Sequence, residues 1–311
     1  MSALNLGPAL LDRSAHLRSQ PDQLADLLKA AKILEIYKGR VRASQSSLIY
    51  INSGDAERYL QSGLYFLGIE STTGLPYFAV DVVEVGSNSP QVGEVKDEEF
   101  KSARDIGAFL GGVDLEVALT AVALSNWHHA HPRCSRCGAP TRASMAGFVR
   151  VCDVDDAQHH PRTDGAVIVL VKDSDDRILL GHNPNWPAKR YSTFAGFVEP
   201  GETFEQCVAR EVYEEAHVRV SDIHYLGSQP WPFPASIMIS FEATTHDPAS
   251  AEADGVEITD VRWFSREELK RATESGEILL PPGIAVARKM IDRWYNADSE
   301  RGKLTGGEAW R

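Results

Sequence analysis

Three glutamates, Glu211, Glu214 and Glu215, stand at i, i+3 and i+4. On an α-helix of about 3.6 residues per turn their carboxylates share one face within one turn. Like charges gathered this closely repel one another. Such an oxygen-rich cluster suits Mg²⁺ or Mn²⁺, and these cations typically hold a diphosphate while water attacks phosphorus. Glutamate-rich helix faces are also common solvated surfaces, so the surrounding frame decides. That frame is Gly196-Phe197-Val198-Glu199-Pro200-Gly201-Glu202, seven residues, then Arg210-Glu211-Val212-Tyr213-Glu214-Glu215-Ala216-His217-Val218. Gly196 and Gly201 bracket a tight turn after an apparent strand, and Glu202, eight residues before Arg210, is placed to pair with it.

Hydrophobic periodicity outlines the elements that must hold this cluster. The glutamate helix is expected from about Thr203 to Ala216. Strands are expected at Ala166 to Val171, Ile178 to Leu180, Ile237 to Ala243 and Ile258 to Trp263, with a C-terminal helix near Ile284 to Tyr295 and a polar, mobile tail beyond Asn296. Upstream, Leu24, Leu27, Leu28 and Ile33 repeat at helical intervals over Gln23 to Leu34. Apolar runs at Ser47 to Ile51, Gly63 to Ile69 and Pro76 to Val83 read as a small antiparallel sheet, and Phe100 to Asn126 as helices broken at Gly111-Gly112.

At 311 residues the chain is long enough for two domains with substantial cores. Its 43% hydrophobic and 24% charged residues mark an ordinary globular composition. A formal charge of −12 argues against nonspecific binding to nucleic acid or anionic membrane as the main task, while leaving room for a local basic groove. No run approaches about 18 uncharged apolar residues, and no signal-peptide pattern opens the chain. A cytoplasmic enzyme without a membrane partner is the expectation.

Cys134-Ser135-Arg136-Cys137 forms a C-x2-C knuckle, and Cys152 follows after fourteen residues. A structural zinc site needs four ligands in a tetrahedron. Asp155 occupies the fourth position by register, His159, His160 and His131 are rivals with better ligand chemistry, and a metal-free ribbon held by packing is the alternative. Cys207, within the glutamate helix, reads as a small buried residue. Between Trp127 and Arg150 lie His128, His129, His131, Arg133, Arg136, Arg142 and Arg150 with no acidic residue, a basic stretch in an acidic protein.

Downstream stands Ser228-Gln229-Pro230-Trp231-Pro232-Phe233-Pro234-Ala235-Ser236. Its alternating prolines favour an extended, stiff wall presenting Gln, Trp and Phe. The first motif has the spacing of the Nudix box, departing only at the final glycine, where His217 stands. That position follows a helix end and favours a left-handed backbone, which His adopts less readily than Gly. With the SQPWPFP array, Pro161-Arg162-Thr163-Asp164 and the cysteine knuckle, the chain resembles the NADH pyrophosphatases of the Nudix hydrolase superfamily over roughly residues 5 to 295.

The resemblance implies an α+β protein: an N-terminal α/β domain over 1–126, a small zinc-ribbon-like module over 127–160, a Nudix α/β/α sandwich over 161–298 and a flexible tail over 299–311. It implies hydrolysis of NADH or NAD⁺ to nicotinamide mononucleotide and AMP, and removal of an NAD cap from RNA to leave a 5′-monophosphate. By the same resemblance Glu211, Glu214, Glu215 and Glu257 hold Mg²⁺ or Mn²⁺, Glu215 activates water, and Arg210 pins the metal loop. Phe197 stacks on nicotinamide, and Gln229 and Trp231 belong to the substrate-facing array. Ala287 lies near the phosphates, and His160 reaches the partner subunit's site in a homodimer with a composite active site. The stretch Arg133 to Arg150 offers phosphate contacts for an RNA body. The alternatives are another Nudix diphosphatase, acting on ADP-ribose or dinucleoside polyphosphates, and a non-catalytic NAD- or RNA-binding adaptor.

Overall fold

Residues 4, 8–52, 54, 63–82, 96–297 and 301–306 are described by the computed structural model. The chain divides into two units: residues 8–163 with 231–235, and residues 1–7, 164–230 and 236–311. No described helix is long and apolar enough to cross a membrane.

The first unit comprises β1 (Leu11–Asp12), α1 (Pro21–Leu28), β2 (Lys32–Tyr37), β3 (Arg40–Arg42), β4 (Tyr50–Asn52), β5 (Tyr65–Glu70), β6 (Pro76–Asp81), β7 (Phe100–Lys101), α2 (Ala103–Ile106) and α3 (Val113–Ala130). The helix expected to reach Leu34 ends at Leu28, because Ile33 and Leu34 enter β2 and are fully buried there. The expected all-antiparallel sheet is mixed, since β2 pairs β6 in parallel. Val83, the end of one expected strand, lies outside the described residues. Leu34, Ile36, Leu67 and Ala79 form a core with Val117, Ala118 and Ala121 of α3. A separate three-stranded sheet follows from β8 (Thr141–Ser144), β9 (Val149–Cys152) and β10 (Gln158–His159).

The second unit is a sandwich around β11 (Asp164–Lys172). It continues through β12 (Ile178–His182), β13 (Phe194–Phe197), α4 (Phe204–Ala216), β14 (Ser221–Trp231, whose last residue belongs to the first unit), β15 (Ser236–Thr244), β16 (Asp260–Phe264), α5 (Arg266–Glu274) and α6 (Val286–Tyr295). The sheet order is β14-β15-β11-β12-β16, with β13 also paired to β11. Strand β11 reads as a continuous aliphatic run because both its faces are covered. Val167, Val169 and Val171 share a core with Cys207, Val208 and Val212 of α4. Ile168 and Leu170 share the opposite core with Leu269 of α5 and Val286, Met290 and Ile291 of α6. Each fully buried aliphatic chain contributes about 1.5–3 kcal/mol, so β11 ties both layers together.

Helix α4 opens with a capping box: Thr203 Oγ1 accepts from the Gln206 amide and Gln206 Oε1 from the Thr203 amide. A helix start fixed in this way sets the rotation of the face carrying the glutamates. Part of the expected tail is held, since Leu304 is buried and Arg288 donates to the carbonyls of Leu304 and Gly306. Residues 298–300 and 307–311 lie outside the described residues.

Candidate active site

Helix α4 gathers the acids as the spacing requires. Glu215 is 7% exposed. Its Oε2 is buried without a hydrogen-bond partner. Burial, reinforced by the charges of Glu211 and Glu257, pushes its carboxyl up to about 8. Burial also raises Glu211, with Glu214 and Glu257 adding repulsion. The charge of Glu257, outside α4, acts on both acids, although β16 begins only at Asp260 and Glu257 lies on the preceding loop.

Arg210 organises this face. Its Nε and Nη2 form a fork on Glu202, at 2.8 and 3.0 Å, and Nη2 also donates to the Phe197 carbonyl at 3.0 Å. Nη1 reaches Glu211 at 2.8 Å and Glu214 at 3.0 Å. Arg210 holds the Glu202 carboxyl down at about 2, assisted by the Glu199 amide. The guanidinium thus links the turn before the helix to two of the three clustered acids.

At the far end of α4, His217 takes the left-handed conformation, with φ 55° and ψ 17°. The loop beyond β15 returns here: the Glu252 amide donates to the Ala216 carbonyl at 3.0 Å and the Asp254 amide to that of Glu215 at 3.3 Å. Asp254 in turn accepts from the amides of Val256, Glu257 and Ile258. Sequence reading missed Asp254. An aspartate followed by glycine signals a turn, but not which carboxylate the turn supports.

Phe197 is 59% exposed at the end of β13. Gln229 is not a free wall residue. It is 7% exposed, donates to the Ile284 carbonyl and accepts from the Val286 amide, both at 2.8 Å. Both polar ends are therefore committed to fixing the start of α6. Ala287, in the first turn of that helix, is packed into the core. Nor is the array extended throughout. Strand β14 ends at Trp231, and residues 232–235 turn back toward β15. Trp231 meets Phe233 edge-on with centroids 5.1 Å apart, and Asn126 donates to the Pro232 carbonyl at 3.0 Å. His160 is exposed just beyond β10.

The cysteine module brings together Cys134, Cys137, Cys152 and Asp155, with one ligand atom from each within 4.8 Å of all the others. Two equivalent knuckles build it: the Arg136 amide donates to Cys134 Sγ and the Val154 amide to Cys152 Sγ, both at 3.4 Å. His159 Nε2 approaches Cys134 Sγ at 3.3 Å, while His131 bonds the Trp127 carbonyl. Against the effect of burial, the amides of Arg136 and Cys137 and the His159 ring bring the Cys134 thiol down to about 7. The donor set of three sulfurs and an oxygen fits zinc.

The basic stretch is less free than its composition suggests. Arg142 pairs with Asp153 at 3.0 Å and Asp156 at 3.8 Å, and Arg136 lies 4.0 Å from Asp155. Arg150 is committed to His128 and Thr141. The acids that neutralise it lie just past Arg150, beyond the window that looked purely basic.

Residues 161–281 match the NUDIX domain family. The NAD-capped RNA hydrolase NudC of Mycobacterium bovis is 41% identical over 205 residues, covering 63% of this chain and 65% of that protein. The mitochondrial NAD(P)H pyrophosphatase NUDT13 of Mus musculus is 34% identical over 244 residues, covering 72% of this chain and 69% of that protein. The NAD-capped RNA hydrolase NUDT12 of Macaca fascicularis is 35% identical over 219 residues, covering 63% and 47%. The match thus spans less than two thirds of the NudC relative's length.

Proposed function

This chain belongs to the NADH pyrophosphatase and NAD-capped RNA hydrolase family of Nudix hydrolases, and from that premise we propose that it hydrolyses the pyrophosphate of NADH or NAD⁺. The products are nicotinamide mononucleotide, reduced or oxidised, and AMP. The observation that carries this reading is the buried, unpartnered Oε2 of Glu215 beside Glu211 and Glu257. An orphaned carboxylate oxygen among like charges is costly unless a cation joins it.

The acid cluster fits divalent cations, with Glu211, Glu214, Glu215 and Glu257 as the residues that would hold Mg²⁺ or Mn²⁺. Such ions supply charge neutralisation on the phosphate oxygens and a more acidic bound water. Glu215 accepts a proton from the attacking water. Arg210 keeps Glu211 and Glu214 oriented. Phe197 offers its exposed face to the nicotinamide ring, and Gln229 fixes the segment leading to Ala287.

The same chemistry extends to RNA carrying a 5′ NAD cap, a reading supported by the names of the NudC and NUDT12 relatives. Zinc in the Cys134, Cys137, Cys152 and Asp155 cluster serves a structural role. The reading further includes a cytoplasmic homodimer, in which His160 from one copy completes the other's pocket. Parallel rates on NADH, ADP-ribose and NAD-capped RNA, with AMP or 5′-monophosphate RNA quantified, test the substrate class. Preference for ADP-ribose would overturn it.

A further inference from the structure

His217 stands where the Nudix box has glycine, and its side chain does something glycine cannot. Its Nδ1 lies 3.0 Å from the Glu252 carbonyl. A carbonyl only accepts, so Nδ1 carries the proton and donates. The ring also meets Tyr213, one turn earlier in α4, edge-on with centroids 6.0 Å apart.

Glu252 begins the loop that carries Glu257. Two backbone bonds, from the Glu252 and Asp254 amides to the Ala216 and Glu215 carbonyls, stitch that loop to the end of α4. Asp254 then gathers three successive amides, including that of Glu257 itself. Glu257 is exposed, so little packing holds it, yet its charge acts on Glu211 and Glu215. Its position depends on how firmly the loop is tied.

We infer that His217 is a positioning residue: through its bond to Glu252 it anchors the loop that presents Glu257 to the acid cluster. Glycine adopts φ near +55° without penalty, so a residue merely tolerated there would be improved by restoring it. The anchoring role requires the reverse. The inference rests on the metal-site reading above, since it concerns one proposed ligand of that site.

The full chain is compared with His217→Gly and His217→Asn. Asparagine accepts a left-handed backbone, and its amide nitrogen branches from Cγ as Nδ1 does, keeping a donor in place. Hydrogen exchange of the 252–258 amides is followed in metal-free buffer, and Mn²⁺ binding by electron paramagnetic resonance. One hydrogen bond's worth of anchoring corresponds to a change of about threefold to tenfold. His217→Gly should exchange faster in this loop and bind Mn²⁺ more weakly by about that factor, with His217→Asn near wild type. Wild-type exchange in His217→Gly, or equal loosening in both variants, overturns the inference. If wild type takes up no Mn²⁺, the metal reading fails, while the exchange rates still decide the role of His217.

Discussion

Glu211 packs its carboxylate into the space a side chain at Gly196 would fill: a Cβ added there would fall 1.8 Å from Glu211 Cδ and 1.9 Å from its Oε1. The first glycine of the motif is thus required by packing against a carboxylate. Gly196→Ala should keep the fold and displace Glu211. Because a misplacement of about 1 Å costs on the order of a hundredfold, turnover of NADH should drop by roughly that factor. Wild-type turnover would contradict the close packing.

The raised Glu215 carboxyl sets a pH dependence. Its folded value of about 8 lies above the ordinary value near 4.3. Its contribution to stability is therefore full below about pH 4.3 and is lost as pH rises through 8. A bound cation competes with that proton, so stabilisation by Mn²⁺ should grow between pH 6 and 8. Thermal melts with and without Mn²⁺ across this range measure it, and Glu215→Gln should flatten the trend. An equal Tm increment at every pH in wild type would count against the coupling.

Arg210→Lys keeps the charge and loses the fork. Lysine cannot serve Glu202, Phe197 and Glu211 together. Glu202, held near 2, contributes stability above about pH 4.3 that is lost as pH falls through 2. The variant should therefore gain less stability than wild type as pH rises from about 2 to about 4.3. Parallel denaturant curves at pH 3 and pH 6 would reveal this. An equal gain for both proteins would show that the pair does not couple to folding.

Local spacing made much of this site legible. Glu211, Glu214 and Glu215 share a helix face because one turn enforces it. What the sequence hid depends on distant partners. Ile33 and Leu34 fit a helical period, yet β6 and β4 draw them into a sheet. Gln229 reads as a contact residue until Ile284 and Val286 occupy both ends of its amide. The basic stretch loses freedom to Asp153 and Asp156, which only the β8–β9 hairpin brings alongside.

The fourth ligand of the cysteine cluster can be decided by metal content. Asp155→Ala should lower bound zinc well below one per chain, whereas His159→Ala, which removes only a contact to Cys134 Sγ, should retain most of it. The opposite order would assign the position to His159.

By the proposed function, the acid face of α4 cleaves a dinucleotide pyrophosphate. The most direct measurement is AMP release from NADH with Mn²⁺, comparing wild type with Glu215→Gln at equal, verified folding. Loss of a positioned proton acceptor costs about 10²–10⁴-fold, and a fall of that size is the expected result. Glu215→Gln releasing AMP at the wild-type rate would contradict the account.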